Sequence, residues 1–167
     1  MSETKIPESF SIIRFPDCDP FNHLNNARYI DYMMNAREDH LMNIYNFNIY
    51  QIAKETGLSW VVAQNQIAYL RPAFLMETVL IQSTIIGFGE RNVSVEIRMW
   101  NSDKTQIKAL LWADFVHFNL KTQKSEPHSK ELMERFGPLE NHDIEKVTFE
   151  KRIEQVKNKT AKDLFGN

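Results

Sequence analysis

The stretch DCDPFNHLNNARYIDYM, residues 17–33, decides how the chain is read. Asp17, Cys18, Asp19 and His23 crowd its first half, and a pair of asparagines follows. From Asn26 onward the apolar residues change period: Tyr29, Ile30, Met33, Ala36, Leu41 and Ile44 recur at three- and four-residue steps. That spacing predicts a helix of four or five turns from Asn26 to about Tyr45. Asn25 and Asn26 are good N-cap types, so the polar cluster lies where the helix begins.

On either side of this helix the chain reads as strand. The stretch SFSIIRF, residues 9–15, is short and β-branched, and Pro16 ends it. Residues 46–57, NFNIYQIAKETG, read as a loop and a short helical turn, with Gly57 as the stop. After Gly57 the period drops to two and stays there. Long strands are predicted at 58–70, 78–88, 93–100 and 105–120, and Gly87 and Gly89 mark a hairpin turn. Along 93–100, Val93, Val95, Ile97 and Met99 share one face, and Ser94, Glu96 and Arg98 share the other. This order predicts an α+β domain: a meander of adjacent antiparallel strands with one long helix laid on one face. A short helix is expected from about Ser129, followed by a break at Gly137-Pro138. The domain is expected to span residues 1–136. Residues 137–167, rich in Lys and Glu, form an amphipathic helical or partly disordered tail that packs on the domain or on a neighbour.

Size and charge exclude several function classes. At 167 residues the chain can bury a real core. Its formal charge of -2, with no long basic run, argues against a nucleic-acid partner. The start MSETKIPESF is unlike a secretory signal, and no apolar run is long enough to insert into a membrane. A single cysteine forms no internal disulfide, which agrees with a cytoplasmic protein.

Three readings of the polar cluster compete. As a catalytic loop, it sets Asp19 just upstream of a helix start whose first N–H groups lack intrahelical partners and carry positive dipole charge. A carbonyl held there is polarised, and a nearby carboxylate can activate water or attack the carbonyl itself. His23 can orient that carboxylate, bond the water or protonate the leaving group. As a metal loop the pattern is poor. Read from Asp17 as a calcium loop, it places Phe21, Asn22 and Arg28 where an oxygen ligand, Gly and Glu belong. As a capping turn, it needs no function at all. Cys18 reads as a small apolar filler, and Met33, Met34 and Met42 as helix core. Asp114 and His117 fall on opposite faces of one strand and read as structural.

The residues Arg14, Phe15, Asp17, Asp19, His23, Asn25, Asn26 and Tyr29 form the pattern R-F-x-D-x-D, then H-x-N-N-x-x-Y. With the order of elements from about Ser9 to Phe136, that pattern resembles the hotdog fold. More narrowly, it resembles the 4-hydroxybenzoyl-CoA thioesterase-like family, which includes acyl-CoA thioesterases and, more distantly, acyl-carrier-protein (acyl-ACP) thioesterases. The resemblance implies that Asp19 is the catalytic carboxylate, that the N–H of about Asn26 polarises the thioester carbonyl, and that His23 assists. It also implies substrate contacts at Asn25 and, through the CoA phosphates, at Arg91. No metal or redox cofactor is implied; CoA enters as part of an acyl-CoA or acyl-carrier-protein substrate. Two protomers with their sheets side by side, as a homodimer or homotetramer, are implied as well. The chain departs from the family at Pro20-Phe21-Asn22, where many members have a small residue and related acyl-ACP enzymes an Asn at the place of Phe21. Two alternatives stand beside hydrolysis. One is a non-catalytic acyl-thioester-binding module. The other is a dehydratase, whose helix-start motif the chain lacks.

Overall fold

The computed structural model describes residues 4–166. Strand β1 (Glu8–Ile12) leads through a 3-10 turn at Phe15–Asp17 into helix α1 (Asn26–Asp39). The helix runs on as one π turn, His40–Ile44, closed by the Tyr45 N–H on the His40 carbonyl. Helix α2 (Ile49–Thr56) stops at Gly57, whose φ of 75° suits glycine, and strand β2 (Leu58–Tyr69) follows at once. Strands β3 (Thr78–Phe88), β4 (Asn92–Asn101) and β5 (Ile107–Asn119) come next, with a short β6 (Lys124–Ser125). Helices α3 (Lys130–Phe136), α4 (Phe149–Val156) and α5 (Ala161–Phe165) complete the chain.

The sheet is antiparallel, in the order β1-β3-β4-β5-β2, with β6 on β5. Here the expected meander needs correction. Strands β3, β4 and β5 are neighbours, but β2 pairs with β5 at the far edge and not with β3. The link from Leu70 to Glu77 holds no two-residue turn. It crosses the end of the sheet instead and passes the start of α1, where Ala73 C=O accepts from Leu24 N–H at 2.8 Å.

The sheet curls around α1 in the hotdog arrangement. Tyr29, Met33 and Ala36 of α1 pack with Ile81, Ile85, Val95, Ile97, Met99, Ala109 and Leu111 of the inward face. Each fully buried Ile, Val, Leu or Met among them contributes about 1.5–3 kcal/mol. The opposite face is covered by the end of the chain. Leu80, Trp100, Ile107 and Leu110 meet Phe149, Val156 and Ala161 there.

The polar residues of β4 lie under that cover. Glu96 and Arg98 are both 0% exposed. The Glu96 carboxylate accepts from Arg98 Nη1 at 2.6 Å, Arg152 Nε at 2.8 Å, Arg152 Nη2 at 2.9 Å and Trp112 Nε1 at 2.9 Å. Burial alone would raise the Glu96 pKa; the Arg152 hydrogen bonds and the charges of Arg98 and Arg152 outweigh it and hold the pKa at about 2. Phe165 closes the assembly, with the Arg98 guanidinium 4.3 Å from its ring centre.

Candidate active site

The polar loop is built from its own backbone. Asp19-Pro20-Phe21-Asn22 is a four-residue turn with Pro at its second position, closed by Asn22 N–H on Asp19 C=O at 3.0 Å. Asn22 follows at φ 62°, a left-handed value that asparagine tolerates. Asp19 Oδ1 accepts from Phe21 N–H at 2.9 Å and from His23 N–H at 3.0 Å, and Asp19 N–H donates to His23 C=O at 2.8 Å. One carboxylate oxygen therefore holds the loop. Oδ2 takes no hydrogen bond from the described residues.

Asp17 and Asp19 diverge. Asp17 Oδ2 accepts from Tyr32 Oη at 2.8 Å, and its Oδ1 lies 3.6 Å from Arg28 Nε. Asp17 thus ties the loop to α1, and only Asp19 faces the cleft. Cys18 donates weakly to Arg14 C=O, and burial, with Asp17 and Asp19 nearby, pushes its thiol pKa up. A thiol so placed stays protonated and is a poor nucleophile.

At the helix start, Asn25 Oδ1 caps the Ala27 N–H at 3.0 Å, and Arg28 N–H donates to Asn25 C=O at 2.8 Å. The first N–H, that of Asn26, has no acceptor among the described residues. Tyr69 Oη donates to Asn26 C=O at 2.9 Å, fixing the same peptide from β2. Tyr29 Oη accepts from Ala73 N–H at 2.9 Å and pins the crossing link to the helix.

Asp19, His23, Asn26, Tyr29, Tyr69, Arg71 and Pro72 line one open cleft of about 250 Å³. The His23 ring meets Phe74 edge-on at 5.1 Å. Sequence reasoning thus names the loop and helix-start members of this group. It misses Tyr69 and Arg71, because both enter through the pairing of β2 with β5. Asn25 stands beside the cleft as cap. Arg91 stands apart: its Nη1 donates to Ser125 C=O at 2.8 Å, in the turn where Asn92 pairs with Val116. Tyr69 pairs with Ala109, so seven residues of β5, about 24 Å of strand, separate the two places. Phe21 is 78% exposed. A second, apolar cavity of about 150 Å³ lies farther along α1, lined by Met34, Leu41, Phe47, Trp60, Val95 and Phe136 among others.

Residues 13–136 match the model of the thioesterase-like superfamily. A long-chain acyl-CoA thioesterase of Escherichia coli, FadM, is 31% identical over 121 residues, which is 72% of this chain and 89% of that protein. The crystal structure of the probable thioesterase YbaW from Escherichia coli superposes with a TM-score of 0.69 at 27% identity, covering 80% of this chain and 98% of that one. The 12:0-ACP thioesterase from Umbellularia californica shares the fold alone, with a TM-score of 0.72 at 17% identity over 87% of this chain and 60% of that one. The chain belongs to the thioesterase-like superfamily, as a hotdog-fold thioester hydrolase.

Proposed function

We propose that this enzyme hydrolyses an acyl-CoA to a carboxylic acid and free CoA, with Asp19 as general base or nucleophile. One observation carries the reading. A carboxylate oxygen and a helix-start N–H, both without hydrogen bonds to the described residues, belong to residues that line the same cleft. The thioester carbonyl takes the Asn26 N–H, where the forming oxyanion meets the positive end of α1. Asp19 Oδ2 draws a proton from water or attacks the carbonyl. His23, whose main chain is tied to the same carboxylate, steers the water or the departing thiol. Asn25 supports the site by capping the same helix start through the Ala27 N–H. No metal or redox group has a part in this scheme, and CoA arrives only as part of the substrate.

The name of the related FadM and the apolar cavity beside α1 together favour a long aliphatic acyl group. We also infer a cytoplasmic homodimer or homotetramer. Among the described residues, the 12-residue strand β2 pairs only with β5, and its Val61 and Val62 are 37% and 44% exposed. A long apolar edge of this kind is ordinarily covered.

The test is a free-thiol release assay over acyl-CoA and acyl-carrier-protein thioesters of graded chain length. Release from long acyl-CoA supports the proposal, and preferential release from carrier-protein thioesters would make the chain an acyl-ACP thioesterase. Tight binding of acyl-CoA without release would mark a binding module and overturn hydrolysis.

A further inference from the structure

We propose that Lys108, a buried lysine of β5, is a positioning residue: through an ion pair with Glu77 it fixes the crossing link on which the Asp19 loop is docked. This deepens the hydrolase reading and rests on the role of Asp19 in it. Neither Lys108 nor Glu77 is among the described residues that line the cleft. Both act through the main chain of the link, and neither touches the reacting atoms.

The loop and the helix start meet on this link. Leu75 N–H donates to Asn22 C=O at 2.9 Å and Leu24 N–H donates to Ala73 C=O at 2.8 Å, so the link grips the loop on both sides of His23. Ala73 N–H donates to Tyr29 Oη at 2.9 Å, which ties the same residue to α1. The place of the Asp19 carboxylate relative to the Asn26 N–H therefore depends on where residues 73–75 lie. Regular pairing does not fix them: apart from one bridge between Phe74 and His23, the link is irregular. Met76 in its final turn has a φ of 63°, a left-handed value that is costly for a side chain of this kind. Such a turn persists only where its surroundings hold it.

Lys108 supplies that hold along the whole link. Its C=O accepts from Leu70 N–H at 2.8 Å and from Arg71 N–H at 3.0 Å. Its Nζ donates to Pro72 C=O at 3.0 Å and pairs with Glu77 Oε1 at 2.8 Å. The other Glu77 oxygen, Oε2, accepts from Phe74 N–H at 2.8 Å, and Glu77 N–H donates to Phe74 C=O at 2.9 Å. The ammonium also lies over the Phe74 ring, 5.5 Å from its centre, and that ring meets His23 edge-on. The carbonyl bonds of position 108 are open to any residue, but only a long cationic side chain makes the other contacts. Lys108 is 5% exposed, and burying its ammonium costs solvation that an apolar side chain of the same length would not lose. The pair therefore specifies where the link lies more than it stabilises the fold.

The experiment uses the double variant Lys108→Met with Glu77→Gln, which removes both charges at nearly constant volume and leaves no buried charge unpaired. A carboxylate misplaced by about 1 Å costs about a hundredfold in rate. The double variant therefore loses about ten- to a hundredfold in kcat on a long-chain acyl-CoA, with KM within about threefold of the wild type. A kcat within about threefold of the wild type overturns the proposal, as does a loss carried wholly by KM. Arg152→Ala, which disturbs the buried cluster on the opposite face, controls for general destabilisation; an equal kcat loss there, well below its melting temperature, also overturns it. Hydrogen exchange reads the docking without turnover. The Leu24 and Leu75 amides exchange at least about tenfold faster in the double variant, and the Ile97 amide in β4 does not. Unchanged exchange at Leu24 and Leu75 refutes the proposal. If the wild type releases no thiol, the hydrolase reading has failed, and the exchange rates alone decide whether Lys108 holds the loop. Should the double variant fail to fold, Glu77→Gln alone carries the same comparison.

Discussion

Replacing Asp19 by asparagine separates the two jobs of its carboxylate. Oδ1 holds the loop through the Phe21 and His23 N–H groups, and Oδ2 is the oxygen to which the proposal gives the chemistry. Asparagine retains an oxygen at the first position and puts an uncharged amide at the second. The two loop bonds survive as neutral ones, a loss of about 1 kcal/mol, so the melting temperature falls by only about 2–4 °C in a chain of this size. The rate falls much further. A positioned base contributes about a hundred- to ten-thousandfold, and an amide neither takes the proton nor attacks the carbonyl. Asp19→Ala loses both loop bonds as well, so it matches the asparagine variant in rate loss and adds about 2 kcal/mol of destabilisation. The assay is thiol release from a long-chain acyl-CoA at saturating substrate, beside thermal melts of all three proteins. An asparagine variant within threefold of the wild-type rate would refute the role of Asp19. Equal melting temperatures for the two variants would refute the anchoring by Oδ1.

Asn25→Ala removes the cap on Ala27 N–H and costs about 1 kcal/mol of stability, read by urea denaturation. It lowers kcat as well, because the uncapped first turn no longer holds the Asn26 N–H on the carbonyl. His40 is buried between Ser83 and Ser9, and burial, with the charge of Arg37, lowers its pKa from 6.5 to about 4. The unfolded chain therefore binds a proton more readily than the folded one. The neutral histidine contributes stability that is complete above pH 6.5 and lost as the pH falls towards 4; urea midpoints at pH 7 and pH 5 show this slope in the wild type and lose it in His40→Gln. Arg152→Ala leaves Glu96 buried with Arg98 as its remaining cation, at a cost of about 3–5 kcal/mol and a melting point lowered by about 10 °C. A change under 2 °C would show that the cluster relaxes.

What could be read in advance follows the range of each interaction. The start of α1 is legible because Asn25 caps it locally and its apolar period begins at once. Strand β3 is legible because its turn signals lie at its own ends. The partner of β2 is not, since pairing Tyr69 with Ala109 depends on contacts 40 residues apart that leave no periodic trace. The same holds for the cleft. Asp19, His23 and Asn26 sit within one short stretch, so their meeting can be read from order alone. Arg71 reaches the cleft through Ile107 and Lys157, two distant carbonyls that carry no side-chain signature. The alternation of β4 is also legible, but it does not say that Glu96 and Arg98 would be buried, because their cover comes from residues 149–165.

The loop around Asp19 keeps its frame and its side chains apart. Every bond that fixes the carboxylate comes from the main chain of the loop, and the loop is docked by main-chain bonds from Leu24 to Ala73 and from Leu75 to Asn22. The side chain of Phe21 takes part in none of them. The side chain at position 21 can therefore change without disturbing the bonds that hold the Asp19 carboxylate. In the proposed scheme, the exposed rim of the loop and its reacting oxygen are then held by separate parts of one short turn.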